Sequence, residues 1–225
     1  MLILIVIHTT LSTAAFGQEP STASTGEPQW RLVRRSSRID PDDPEVSDLM
    51  DGGFLPIGFH ETDGGAFSLL LVANSGISAS GWHLREYSDW NRLQAQITDA
   101  ILSGLLPVGI SKSPSGLTIL WIETDLAVGA WRIHAMSAPT EERAERAVRR
   151  FETMGFGLWG LTVSDDLMWL LFLRLEQPLF AHGRILTYPD EADAVENGIE
   201  RNSREGWVPV GLASEDGRCY VAYRR

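Results

Sequence analysis

The side chains best suited to chemistry in this 225-residue chain gather in segments that read as turns and strand ends. His60, Glu61 and Asp63 form the densest cluster of metal-ligand types. In a strand, however, His60 and Glu61 point to opposite faces, which leaves only His60 and Asp63 able to meet, one ligand short of a catalytic zinc. Acidic residues recur at Asp63, Asp165, Asp166, Glu215 and Asp216. Carboxylates paired about 5–10 Å apart can act as acid and base or hold calcium, although turn propensity alone accounts for acids at these places. His83 and His134 fall in runs led by tryptophan and read as packing or surface positions. Cys219 lies in an apolar run, where a thiol is buried and inert.

The familiar reactive signatures are absent. The nearest approach to G-x-S-x-G is Gly76-Ile77-Ser78-Ala79-Ser80, Lys112 has Gly109 and not serine three residues before it, and there is no Walker loop, C-x-x-C or H-E-x-x-H. No catalytic, cofactor-binding or metal-ligating residue is therefore assigned, and no cofactor is expected. The eight tryptophans could stack on sugar rings. Trp30, Trp82 and Trp131 open equivalent runs, though, and repetition at one structural place predicts packing between units.

Composition narrows the class. With 44% hydrophobic and 22% charged residues, the chain can form a folded, water-soluble body. Thirty acidic against nineteen basic residues give a net charge of -11, which disfavours a nucleic-acid partner. Residues 1–17 carry no charge, begin with an apolar run from Leu2 to Ile7 and end in small residues including Ala15 and Gly17, so they read as a secretory signal peptide and predict a secreted or periplasmic protein. That run is too short to span a bilayer and no other apolar stretch approaches eighteen residues, so no membrane insertion is expected. Residues 18–28, rich in Ser, Thr, Gly and Pro, read as a flexible linker. The single Cys219 cannot form an internal disulfide.

What would position these groups is a repeat. Stretches beginning at Gly53, Gly104, Gly155 and Gly206 align at a constant spacing of 51, without a gap over twenty residues. A second glycine recurs at Gly58, Gly109, Gly160 and Gly211, and a proline at Pro56, Pro107 and Pro209, with Leu158 as the exception. Upstream, Val46, Ile97, Val148 and Ile199 mark the apolar stripe of a helix, joined by Leu93, Ala144 and Val195 four residues earlier. Asp43, Ser88, Thr140 and Asp190 stand where the helix caps belong, and the first glycine of each copy where a helix ends left-handed.

Each unit thus reads as strand, helix, strand, strand. The second strand carries the proline and belongs at a sheet edge. The third strand is apolar on both faces and belongs in the centre, which predicts the order second, third, first. The expected fold is α+β: four tandem β-α-β-β repeats of about 51 residues (29–75, 81–124, 130–175 and 182–225) in a body spanning 29–225. Antiparallel sheets carry helices on the outer face and pack sheet to sheet, two units per sheet, with a ring about a pseudo-fourfold axis or a homodimer across the apolar face as the alternatives.

The fourth copy, from Arg184 through Gly206-Trp207 to the basic residues at the C-terminal end, resembles small bacterial strand-helix-strand-strand domains of unknown function that carry a Gly-Trp-Glu motif, with Val208 here in place of Glu. The copies at Gly104 and Gly206, with Pro107 and Pro209, also look like fifty-residue bacterial tandem repeats found beside serine-hydrolase domains. The first resemblance implies no known chemistry, and the second implies an accessory or recognition module. The functional expectation is an exported, non-enzymatic binding or scaffolding protein with a protein or glycan partner; the alternative is an extracytoplasmic hydrolase using the hairpin carboxylates.

Overall fold

The computed structural model describes residues 29–61, 65–73, 75–113, 116–177 and 179–225. The expected signal peptide, the linker and Asp63 lie outside the described residues.

Four strand-helix-strand-strand units follow one another. They are β1 (Gln29–Arg35), α1 (Pro44–Asp51), β2 (Leu55–Glu61) and β3 (Phe67–Ala73); β4 (Gly81–Tyr87), α2 (Leu93–Leu102), β5 (Leu105–Ser113) and β6 (Gly116–Glu123); β7 (Val128–Ser137), α3 (Glu141–Glu152), β8 (Gly157–Ser164) and β9 (Leu167–Leu175); and β10 (Gly183–Pro189), α4 (Ala192–Arg204), β11 (Val208–Glu215) and β12 (Arg218–Arg224). Each unit makes its own three-stranded antiparallel sheet in the order first, third, second, so the apolar third strand is central as its composition requires.

The caps follow the sequence in two of the four helices. Asp43 accepts the Glu45 and Val46 N–H groups ahead of Pro44, and Thr140 accepts that of Arg143. Helix α2 starts later than its Ser88-Asp89 signal suggests, because the Asp89 carboxylate closes a turn onto the Asn91 N–H (2.9 Å) before the helix begins at Leu93. In α4 the N-cap is Glu191, while Asp190 accepts a hydrogen bond from the Ser214 hydroxyl (3.0 Å). All four helices end on a left-handed glycine: φ is +85° at Gly53 and Gly104, +80° at Gly155 and +82° at Gly206.

The gapless alignment ends at the first hairpin. Gly58 pairs with Leu70, whereas Gly109, Gly160 and Gly211 pair with Leu120, Leu171 and Ala222, so the first hairpin holds one residue more than the others. The structurally equivalent third-strand positions are Val72, Ile122, Leu173 and Arg224, the partners of Trp30, Trp82, Trp131 and Gly183 on the first strands.

The sheets pack on one another as a closed ring of four. This differs from the two-by-two sandwich, and the second glycine of each unit is the reason. A Cβ on Gly58 would stand 3.0 Å from the Gly211 Cα, one on Gly109 3.2 Å from the Gly58 Cα, one on Gly160 3.1 Å from the Gly109 Cα, and one on Gly211 3.2 Å from the Gly160 Cα. Backbone therefore meets backbone at each step, and the fourth unit closes on the first. A side chain at any of these positions would wedge two sheets apart. In every unit the ladder slips just before this glycine, so that Ile57, Val108, Trp159 and Val210 are each the extra residue of a β-bulge.

The helices also tie neighbouring units together. The Trp131 indole of the third unit donates to Thr98 on α2 (3.3 Å), and Arg34 of the first unit pairs with Glu196 on α4 (2.9 Å). The two faces of a sheet serve different cores: Phe59, Leu69 and Leu71 belong to one buried cluster, and Leu55, Ile57 and Val72 to another. Among the described residues no helix is long and apolar enough to cross a membrane.

Replacing Gly160 with Ala forces backbone away from backbone and should lower stability by about 1–3 kcal/mol. The comparison is Gly53→Ala, where nothing lies within 4 Å of the added methyl and only the left-handed φ is strained, at about 1–2 kcal/mol. In denaturant titrations the double variant G109A/G160A should lose more than any G53A variant; an equal loss would mean that the glycine contacts do not hold the ring.

Candidate functional site

The ring brings the hairpins of successive units to one end, where they bond to one another. The Glu61 N–H donates to the Ser111 hydroxyl (3.4 Å), the Lys112 N–H to the Thr162 hydroxyl (3.1 Å), and the Asp166 N–H to the Glu215 carboxylate (3.4 Å). Two of the acids at this end have partners. Glu61 is paired with Arg38 (2.7 Å), and Glu215 serves the backbone of the neighbouring hairpin. Burial, together with the charges of Asp216 and Asp166, holds the Glu215 carboxyl above its ordinary range. His60 is buried, and among the described residues no three His, Cys, Asp or Glu side chains are placed to hold a metal ion.

The other sequence candidates have packing roles. His134 lies against the Phe151 ring (centroids 5.4 Å apart), and Trp169 stacks on the exposed Trp90 (5.5 Å). Trp82, Trp121 and Trp131 are buried, and burial pushes the Cys219 thiol up to about 11.

Of the buried polar groups left without a hydrogen bond among the described residues, the one whose every polar atom carries charge is Arg224. Arg224 is 2% exposed, in the middle strand of the fourth sheet. Among the described residues none of its three guanidinium nitrogens has a hydrogen-bond partner. Its Cζ lies 3.9 Å from the ring centroids of both Trp159 and Phe180, contacts that offset only part of the loss of hydration. Burial alone pushes the guanidinium well below the ordinary arginine range, although a guanidinium keeps its proton in a protein. The contrast with Arg184 on the adjacent strand is direct: that side chain bonds to Asn202, pairs with Glu205 (3.3 Å) and lies over Trp207 (4.0 Å).

Arg224 lines a cavity of about 200 Å³ between the third and fourth units, with Glu152, Phe156, Trp159, Leu173 and Phe180 among its walls. The residues that make this place are those at which the repeat is broken. Arg224 stands where the other units have Val72, Ile122 and Leu173. Trp159 is the bulge residue where the others have Ile57, Val108 and Val210. Gly157, two residues before Trp159, is a glycine where the other units have Leu55, Leu106 and Val208; a Cβ there would already stand 3.5 Å from the indole nitrogen, so a longer side chain would crowd the ring. Arg132 and Arg174 both lie 5.4 Å from the centroid of Phe156, one of the cavity walls, so further positive charge stands behind that wall on an otherwise acidic protein. Glu152 also lines the cavity and accepts the Gly183 N–H.

Sequence reading passed over Arg224 as a terminal basic residue. The signal was present: at the spacing of 51, Arg224 falls in a column whose other members are Leu71, Ile122 and Leu173. Neither a protein-family model nor a curated protein sequence matches the chain.

Two predictions come from these environments. Because the fold itself accepts an apolar residue at this position, Arg224→Met should stabilise the ligand-free protein by about 1–4 kcal/mol, seen as a higher denaturant midpoint; a destabilised variant would show that the guanidinium serves packing. The second concerns His83 and His134. Burial above all, helped by Arg85 and Arg150 respectively, lowers both pKa values, so the unfolded chain takes up protons near pH 6.5 that the folded chain refuses. The stability they confer is complete above that pH and is lost below it. Urea midpoints should fall between about pH 7.5 and 5.5, and fall less in the double variant H83Q/H134Q.

Proposed function

We propose that this protein is an exported, non-enzymatic binding module that holds a small anion at Arg224, between its third and fourth repeats. The observation that carries the reading is a buried cation that, among the described residues, forms no hydrogen bond or ion pair, at a position the other three units fill with Val, Ile or Leu. A group that weakens the fold and is not needed by it is characteristic of a functional site. Export rests on the apolar, uncharged residues 1–17, and a repeat module of this kind fits the resemblance of the fourth unit to small bacterial strand-helix-strand-strand domains. Hydrolysis by hairpin carboxylates is less well supported, since Glu61 and Glu215 already have partners.

Melting curves of the full chain against a panel of inorganic and organic anions test the binding reading. At least one anion should raise the melting temperature of the wild type and leave R224M unchanged; equal shifts in both would overturn it. N-terminal sequencing of the protein from its native host should find the chain beginning near residue 18, and an intact Met1 in the cytoplasm would contradict export.

A further inference from the structure

We infer that the anion is a small monocarboxylic acid with an apolar body about the size of one ring, taken up by displacement of Phe180 from Arg224. This rests on the reading of Arg224 as an anion receptor and narrows it to a chemical class.

The size comes from the cavity. An apolar cavity of roughly 150 Å³ in a protein core admits benzene, so the 200 Å³ beside Arg224 has room for a ring and a carboxylate. The apolar body is set by the walls that stay in place, where Phe156, Trp159, Leu173 and Leu175 offer hydrocarbon and the polar side chains besides Arg224 are the Trp159 indole and the Glu152 carboxylate. The single negative charge follows from the count of buried cations. One guanidinium neutralises one carboxylate, and its planar fork matches two carboxylate oxygens. A phosphate, sulfate or dicarboxylate would bring a second charge into the same apolar space, next to the Glu152 carboxylate, with no second buried cation to meet it.

Phe180 is the means of entry. The guanidinium nitrogens are shut off from water, with the Phe180 ring 3.9 Å from Cζ on one side and Trp159 on the other. Trp159 is held in a sheet strand. Phe180, half-buried, comes from the connection between β9 and β10 and is the ring that can leave. Its departure opens the guanidinium to the neighbouring cavity, where the ligand's apolar part is seated.

Benzoate is the probe, with benzamide as its uncharged counterpart and sulfate and phosphate as doubly charged competitors. Binding is followed by tryptophan fluorescence and by calorimetry on the full chain, in the wild type, R224M and F180A. Benzoate should bind the wild type, with affinity at least about 30-fold weaker in R224M and for benzamide, and should associate faster with F180A. Binding of sulfate or phosphate through Arg224 without benzoate would overturn the carboxylate class and leave the anion reading standing. Failure of every anion to bind either the wild type or F180A would overturn both.

Discussion

Contact between the backbones of four glycines, one from each repeat, is the constraint on which the rest of the molecule depends. Gly58, Gly109, Gly160 and Gly211 meet in a cycle, each with its Cα where the next would need room for a side chain. Because the inner strands touch there, ladders cannot run from unit to unit, and the protein has four separate sheets instead of one continuous barrel. The neighbouring bulge turns Ile57, Val108 and Val210 into the cores between sheets. The third strand of every unit is then covered on both faces, and the runs Leu69 to Val72 and Ile119 to Ile122 are accordingly buried along their length.

A frame so repetitive makes its irregularities informative. At most repeated positions the units exchange one aliphatic residue for another, as at Val72, Ile122 and Leu173, and the packing absorbs the difference. Between the third and fourth units three positions depart together: Leu and Val give way to Gly157, an aliphatic bulge residue to Trp159, and an aliphatic strand residue to Arg224. Together they replace packed hydrocarbon with a cation, two aromatic walls and open space. The fold is held elsewhere, by the glycine cycle and by helices that bridge neighbours, and so tolerates the loss locally.

The repeat, the helix stripes, the left-handed glycines and the central third strand were all legible in the sequence, because each is set by local stereochemistry or by the period of burial. Ring closure was not. It depends on the second glycine touching its counterpart in another unit, and in one sequence a glycine required by a turn and one required by a distant backbone look alike. The extra residue in the first hairpin was hidden because its third strand runs apolar without a break from Leu69 to Ala73, so a slip of one leaves the pattern unchanged. The late start of α2 came from competition: Asp89 closes a turn as readily as it caps a helix. Arg224 was missed for a different reason, since charge near a chain end reads as solvated until the strand carrying it is known to be central.

The cycle of glycines also decides how many places of this kind one chain can offer. Four junctions separate the sheets, and at the other three the places of Trp159 and Arg224 are taken by buried aliphatic residues, Ile57 and Ile122, Val108 and Leu173, and Val210 and Val72. Each difference is a matter of two or three residues on a common scaffold, so the same chain carries three aliphatic counterparts of the open junction. Exchange of those few side chains for a guanidinium, an indole and a glycine would turn a receptor with one seat into one with several, without any new element of structure.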